Sequence, residues 1–129
     1  MAYVDIVTAL ALLQFIVFGM KVGRARGTYG VAAPAISGNP LFERHFRVQQ
    51  NTLELLVMVV PGLYLWSHYW APPIAATLGG VYLVGREVYG ASYVKNPASR
   101  SLGFALSMLP AMALIVGGLC GAVWRLLGH

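Results

Sequence analysis

The sequence is short of charge, and shortest of negative charge: 10% of its 129 residues are Asp, Glu, Lys or Arg, and only 4 of these are acidic. Soluble domains carry about 25% charged residues, so this composition excludes an ordinary water-facing globular surface. Cysteine occurs once, at Cys120. That excludes an intrachain disulfide and gives no sign of an oxidising compartment; in its apolar run Cys120 is expected as a small core residue. His45 and His68 have no second histidine at metal or haem spacing, so no metal site is expected. Internal repeats and low-complexity segments are also absent.

What remains is apolar: 58% of the chain is hydrophobic and the mean hydropathy is +0.68. Four segments approach the roughly 20 residues that cross a bilayer as a helix, at about residues 3–20, 42–66, 73–93 and 101–124. They predict an all-α integral membrane protein, a four-transmembrane-helix bundle in one domain over residues 1–129. The first segment is kept as a span and not read as a signal peptide, because Lys21 follows the apolar run instead of preceding it. Between the spans, "KVGRARGTYGVAAPAISGNP" reads as a loop, "SHYWAPP" as a tight turn with tryptophans at interfacial depth, and "KNPAS" as a second break. Pro61 and Pro110 fall inside spans and are expected to kink them.

Basic residues set the expected orientation. Lys21, Arg24, Arg26, Arg44 and Arg47 border the first loop, and Arg86, Lys95 and Arg100 border the third, against Arg125 alone on the other side. Positive charge stays inside, which places both termini on the non-cytoplasmic side and the loops of residues 21–41 and 94–100 in the cytoplasm. The formal net charge of +5 is thus mainly topological, and no soluble module exists to present it to nucleic acid.

Several of these charges lie within spans. At 100° per residue, Arg44, Arg47, Asn51 and Glu54 fall within about 80° on the second helix, and Tyr82, Arg86, Tyr89 and Tyr93 within about 60° on the third, with Glu87 just outside. Ionisable groups at such depth cost a few kcal/mol unless paired or wetted, so two stripes mark a helix interface or a polar cavity. Ion pairing of Glu54 with Arg86 or Arg47 would serve structure alone. The excess of Arg44, Arg47, Arg86, Arg100 and Arg26 over Glu43, Glu54 and Glu87 instead favours an anionic ligand, because guanidinium forks suit carboxylates in two-point contact. Gly117 and Gly121 form a small-xxx-small pair for close contact, between subunits or within the bundle.

The stretch "FERHFRVQQNTLEL" resembles the signature of the MAPEG family (membrane-associated proteins in eicosanoid and glutathione metabolism), close to F-E-R-x-x-R-x-Q-x-N-x-x-E. "VYLVGREVYGASYVKNPASRS" resembles that family's third helix and the start of its fourth, through Arg86, Tyr89, Tyr93 and Arg100. The likeness is to members of the microsomal glutathione transferase and leukotriene C4 synthase type. It implies a homotrimer with glutathione bound between subunits near the cytoplasmic face. Arg47, Asn51, Glu54, Arg86, Tyr89 and Tyr93 would line the site in one subunit, and Arg26 and Gln49 would reach in from its neighbour. Arg100 would face the sulfur and stabilise thiolate over thiol, with Ser101 as a second donor.

The implied activity is glutathione transfer to lipophilic electrophiles arriving through the bilayer, extending to peroxidase action on lipid hydroperoxides. Leu55 stands where leukotriene-forming members have a tyrosine, which weakens leukotriene synthesis as the specific reaction. The rival reading is a non-catalytic lipid-binding or scaffold member of the same family. A small transporter is disfavoured because no repeat architecture is visible. Short loops point to a bacterial inner-membrane protein.

Overall fold

Four long helices account for most of the chain: α1 (Ala2–Tyr29), α2 (Pro40–Tyr69), α3 (Pro72–Lys95) and α4 (Ser101–Leu126), with a 3-10 turn at Pro97–Ser99 before α4. A computed structural model describes all 129 residues. Their ends follow from local chemistry. Gly30 stops α1 in the left-handed region at φ 70°, donating its N–H to the Arg26 carbonyl. Asn39 starts α2: its side-chain oxygen accepts from the backbone N–H groups of Leu41 and Phe42, and Pro40 fills the first position. Asn96 precedes Pro97, ends α3, and caps the 3-10 turn by accepting from the Ala98 N–H.

The first connection is shorter than expected. Residues 21–29, read from sequence as loop, continue α1 as helix, and only residues 30–39 are irregular. Lys21, Arg24 and Arg26 are polar, but they are good helix formers and no proline interrupts them. α2 and α4 run through Pro61 and Pro110 without a break.

α2 and α3 are central, each packing against the other three helices, while α1 and α4 pack on that pair. The core joins Val4 and Ala11 of α1, Leu55, Val59 and Leu63 of α2, Tyr82 of α3, and Ala111 and Leu114 of α4. The closest approach is between α3 and α4. A Cβ on Gly85 would sit 2.6 Å from the Leu106 carbonyl carbon, and one on Gly103 would collide with the Tyr89 backbone. At the other end Gly117 lies against Trp66 and Gly121 against Tyr69, so this glycine pair serves contacts within the bundle. Trp70 Nε1 donates to the Gly117 carbonyl at 2.7 Å and Trp66 Nε1 to the Ala71 carbonyl at 3.3 Å, joining the short α2–α3 turn to α4.

Only 31 of 129 residues are buried, while large apolar side chains such as Val57, Leu109 and Ile16 stand exposed. In water such a surface would drive aggregation; in lipid it is the expected outer face. α1 and α4 are long and apolar enough to cross a membrane, whereas α2 and α3 have similar length and carry the polar stripes. Cys120 is exposed, not a core residue: its position on α4 turns outward, away from α2 and α3.

Tight α3–α4 packing makes a test. Gly85→Ala must push Leu106 and its backbone away, and overpacking of this kind costs about 1–3 kcal/mol. Unfolding in mixed micelles of dodecyl sulfate is expected to show that loss, and an unchanged midpoint would contradict the close approach.

Candidate functional site

The polar stripes of α2 and α3 meet α4 near the end that carries the basic loop. Arg47, Asn51, Tyr89, Tyr93, Arg100 and Phe104 line an open pocket of about 330 Å³ there, within the roughly 300–1,000 Å³ of small-molecule sites. Two guanidinium groups, an amide and two phenols face it, and no acidic residue lines it. Arg100 occupies the N-cap of α4, so the positive end of that helix adds to the potential. Its Nη1 donates to the Pro97 carbonyl at 2.9 Å, which fixes the side chain against the 3-10 turn. The Tyr89 and Tyr93 rings stack with centroids 5.5 Å apart.

Beneath the pocket lies Arg86, 0% exposed. Its Nε donates to Ser107 Oγ at 2.9 Å, and Nη1 donates to Asn51 Oδ1 at 2.8 Å and Thr52 Oγ1 at 3.3 Å. The guanidinium also sits 4.3 Å from the Tyr89 ring centroid, while Nη2 has no partner. Arg86 is therefore not paired with Glu54, one of the two pairings foreseen from sequence. It does not line the pocket either; it holds Asn51 and Tyr89, which do.

The other foreseen pairing forms. Arg47 Nη1 and Glu54 Oε1 are 3.3 Å apart, with both side chains about half exposed (49% and 49%). Arg44, grouped with the α2 stripe by periodicity, points elsewhere: its Nη1 donates to the Val94 and Lys95 carbonyls at 3.1 and 3.3 Å. It thus satisfies the last carbonyls of α3, as a cation at a helix C-terminus does.

Four of the residues singled out from sequence stand apart from the pocket. Arg26 donates to the Ala35 carbonyl at 2.6 Å and packs over the Phe42 ring. Gln49 lies against Gly19 of α1, about 200° round α2 from Arg47. Ser101 opens α4 on the exposed surface and is not among the lining residues. Glu87, placed just outside the α3 stripe from sequence, turns to the opposite flank, where its Oε1 accepts from Gln14 Nε2 at 3.1 Å. Its five-residue step from Tyr82 is about 140° on a helical wheel, which already separates it from the stripe.

Phe104 and Ser107 were not singled out. With Arg100 they fall at i, i+4 and i+7 on α4, one helical face, and that spacing from an arginine was the available signal. Thr52, the third acceptor for Arg86, has none, since it borders the stripe as one polar residue among apolar ones.

The family model described as the MAPEG family matches residues 4–120. The chain belongs to the MAPEG family. An uncharacterized protein of Synechocystis sp. is 48% identical over 121 residues, 94% of this chain and 88% of that one. Microsomal glutathione S-transferase 2 of Homo sapiens is 37% identical, covering 88% of this chain and 78% of the relative. Leukotriene C4 synthase of Rattus norvegicus is 33% identical, covering 84% and 76%. As a MAPEG protein the chain is a membrane helical bundle. Leu55, the position noted as departing from leukotriene-forming members, is 1% exposed and packs in the core, not in the pocket.

The buried and open polar contacts separate on substitution. Asn51→Leu leaves Arg86 short of an acceptor and is expected to lower stability by about 1–3 kcal/mol. Arg47→Gln breaks a half-exposed pair and is expected to cost less than about 1 kcal/mol. Equal losses in the same unfolding assay would contradict the assignment of Arg86 as the structural cation.

Proposed function

We propose that this MAPEG protein is a membrane-bound glutathione transferase. The observation that carries the reading is a pocket lined by Arg47, Arg100, Asn51, Tyr89 and Tyr93 with no acid among its lining residues. Glutathione has two carboxylates, one ammonium and a thiol. Arg47 and the other pocket donors suit the carboxylates, Glu54 beside Arg47 suits the ammonium, and Arg100 at the α4 N-terminus suits the thiolate. The residue types and the pocket volume fit this ligand.

In this reading Arg100 stabilises the sulfur anion, lowering the thiol pKa and raising the thiolate population at neutral pH. The thiolate donates its electron pair to an electrophilic carbon; the new S–C bond forms as the bond to a leaving group such as halide breaks, and the halide departs with that pair. With a lipid hydroperoxide the same thiolate attacks the terminal peroxide oxygen and the O–O bond breaks. A second glutathione then releases the first as disulfide, so two thiols are oxidised as the hydroperoxide is reduced to alcohol and water. The exposed apolar faces of α2 and α4 beside the pocket favour lipophilic electrophiles that arrive through the bilayer.

The reading includes a homotrimer. Arg26 and Gln49 lie away from the pocket of their own chain, and a second copy could bring that flank to it, with Ser101 as a further donor beside Arg100. Loops one and three, with the pocket, face the cytoplasm of a bacterial inner membrane, and both termini face the other side.

A non-catalytic lipid-binding or scaffold role has one observation in its favour: Arg47 and Glu54 already satisfy each other. The two readings part in one experiment on detergent-purified protein. Ultraviolet thiolate absorbance on adding glutathione, followed by turnover of an aryl halide, is expected for the wild type. Arg100→Ala is expected to lose the thiolate signal and about 10²-fold in kcat, the scale set by removing one stabiliser of a developing anion. Absence of thiolate and turnover in well-folded wild type would sink the transferase and leave the scaffold.

A further inference from the structure

A second groove, of about 360 Å³, opens on the other flank of the α2–α3 pair, between these helices and α1. Phe18 and Val48, 3% and 4% exposed, floor it with Gly90; Ala91 and Val94 give it an open apolar wall, and Lys21 and Arg24 stand over it from α1. Neither cation has an acidic partner, since the one ion pair in the chain is Arg47 with Glu54. Lys21 rests its ammonium 5.6 Å from the Phe18 ring centroid, bridging the polar and apolar parts. The transferase reading uses none of these residues.

Depth and direction both matter. The apolar run of α1 at residues 3–20 measures about 27 Å at 1.5 Å per residue, close to the roughly 30 Å of bilayer hydrocarbon. Lys21 and Arg24 therefore stand at headgroup level, and Phe18 one turn lower among acyl chains. On α1 the lining residues are centred roughly 120° round the helix from Arg26. A copy docking on the Arg26 and Gln49 flank would leave the groove facing lipid. Glu87 is the one acid along it, and its carboxylate is held by Gln14 from deeper in the bundle; His45 borders the groove from α2.

We propose that this groove binds an anionic phospholipid, with Lys21 and Arg24 on the phosphodiester and one acyl chain along Ala91 and Val94 over the floor of Phe18 and Val48. Basic pockets between membrane helices at headgroup depth recognise anionic lipids in this way. Unpartnered cations above an apolar wall select it over a zwitterionic lipid, whose ammonium they would repel.

The test is lipid retention, which does not depend on any glutathione activity. Protein in mixed micelles with equal phosphatidylglycerol and phosphatidylcholine is examined by native mass spectrometry. Wild type is expected to retain phosphatidylglycerol about thirtyfold over phosphatidylcholine, the scale of two juxtamembrane cations. The double variant Lys21→Gln, Arg24→Gln is expected to lose the preference, and Arg125→Gln at the opposite end to keep it. Equal retention of both lipids by wild type would overturn the proposal, leaving a groove that takes any acyl chain. So would a preference that survives in the double variant. A measurement on the wild type alone stands beside this. Phosphatidylglycerol with a photo-crosslinker in its acyl chain is expected to label the peptides holding Phe18 and Val48. Labelling spread evenly to Val57 and Leu109 would overturn the site.

Discussion

A buried guanidinium with no carboxylate near it governs this bundle. Taking Arg86 out of water is costly, and the fold offsets that cost with acceptors from two other helices: Asn51 and Thr52 on α2 and Ser107 on α4. Leucine or valine contacts along the same helices tolerate sliding, because one apolar side chain replaces another at similar energy. Hydrogen bonds to a fixed fork do not. Arg86 therefore sets the register of α2, α3 and α4 at the depth where the pocket forms. Gly85 and Gly103 let the backbones come close enough for Ser107 to be reached.

The pocket is built on that fixed base and is open to one side. Asn51 and Tyr89, both in contact with Arg86, have one settled orientation, while Arg47 and Glu54 are half exposed and held only by each other. Glu54 lies 14 residues into α2, about 21 Å along its axis, far below the loops. A half-exposed carboxylate at that depth is poorly matched to hydrocarbon. This flank of the chain is therefore suited to being covered by polar matter, whereas the flanks carrying Val57 and Leu109 are suited to lipid.

Much of this was legible in the chain. Four apolar segments predicted four helices, and the stripes at helical spacing gathered four of the six residues that line the pocket, with Arg100 added by the excess of arginine. Periodicity reports which way a side chain leaves its own helix and is silent on what waits there. Arg44 and Arg47 share a stripe on α2, yet one reaches the end of α3 and the other reaches Glu54; the difference is set by where α3 stops, at Asn96 before Pro97. Arg86 looked like a ligand-binding cation because its acceptors, Thr52 and Ser107, are small hydroxyls that leave no mark on a hydropathy pattern. The extent of α1 was underestimated for a related reason. Basic residues after an apolar run read as loop when polarity is the only guide, although they are good helix formers and the residue that ends the helix is Gly30. How copies of the chain assemble depends on contacts between chains, which a single sequence pattern does not order.

The connections are unequal at the two ends. Two residues, Trp70 and Ala71, join α2 to α3, and tryptophan N–H groups tie that turn to itself and to α4. Ten irregular residues at 30–39 and the short 96–100 segment serve the other end. The far end of α3 is held by side chains instead of a short turn: Arg44 donates to the Val94 and Lys95 carbonyls, and Gly103 packs on the Tyr89 backbone. Both grooves beside α3, the arginine pocket and the Lys21 groove, lie on opposite flanks of this held segment, so one rigid helix is the shared wall of both.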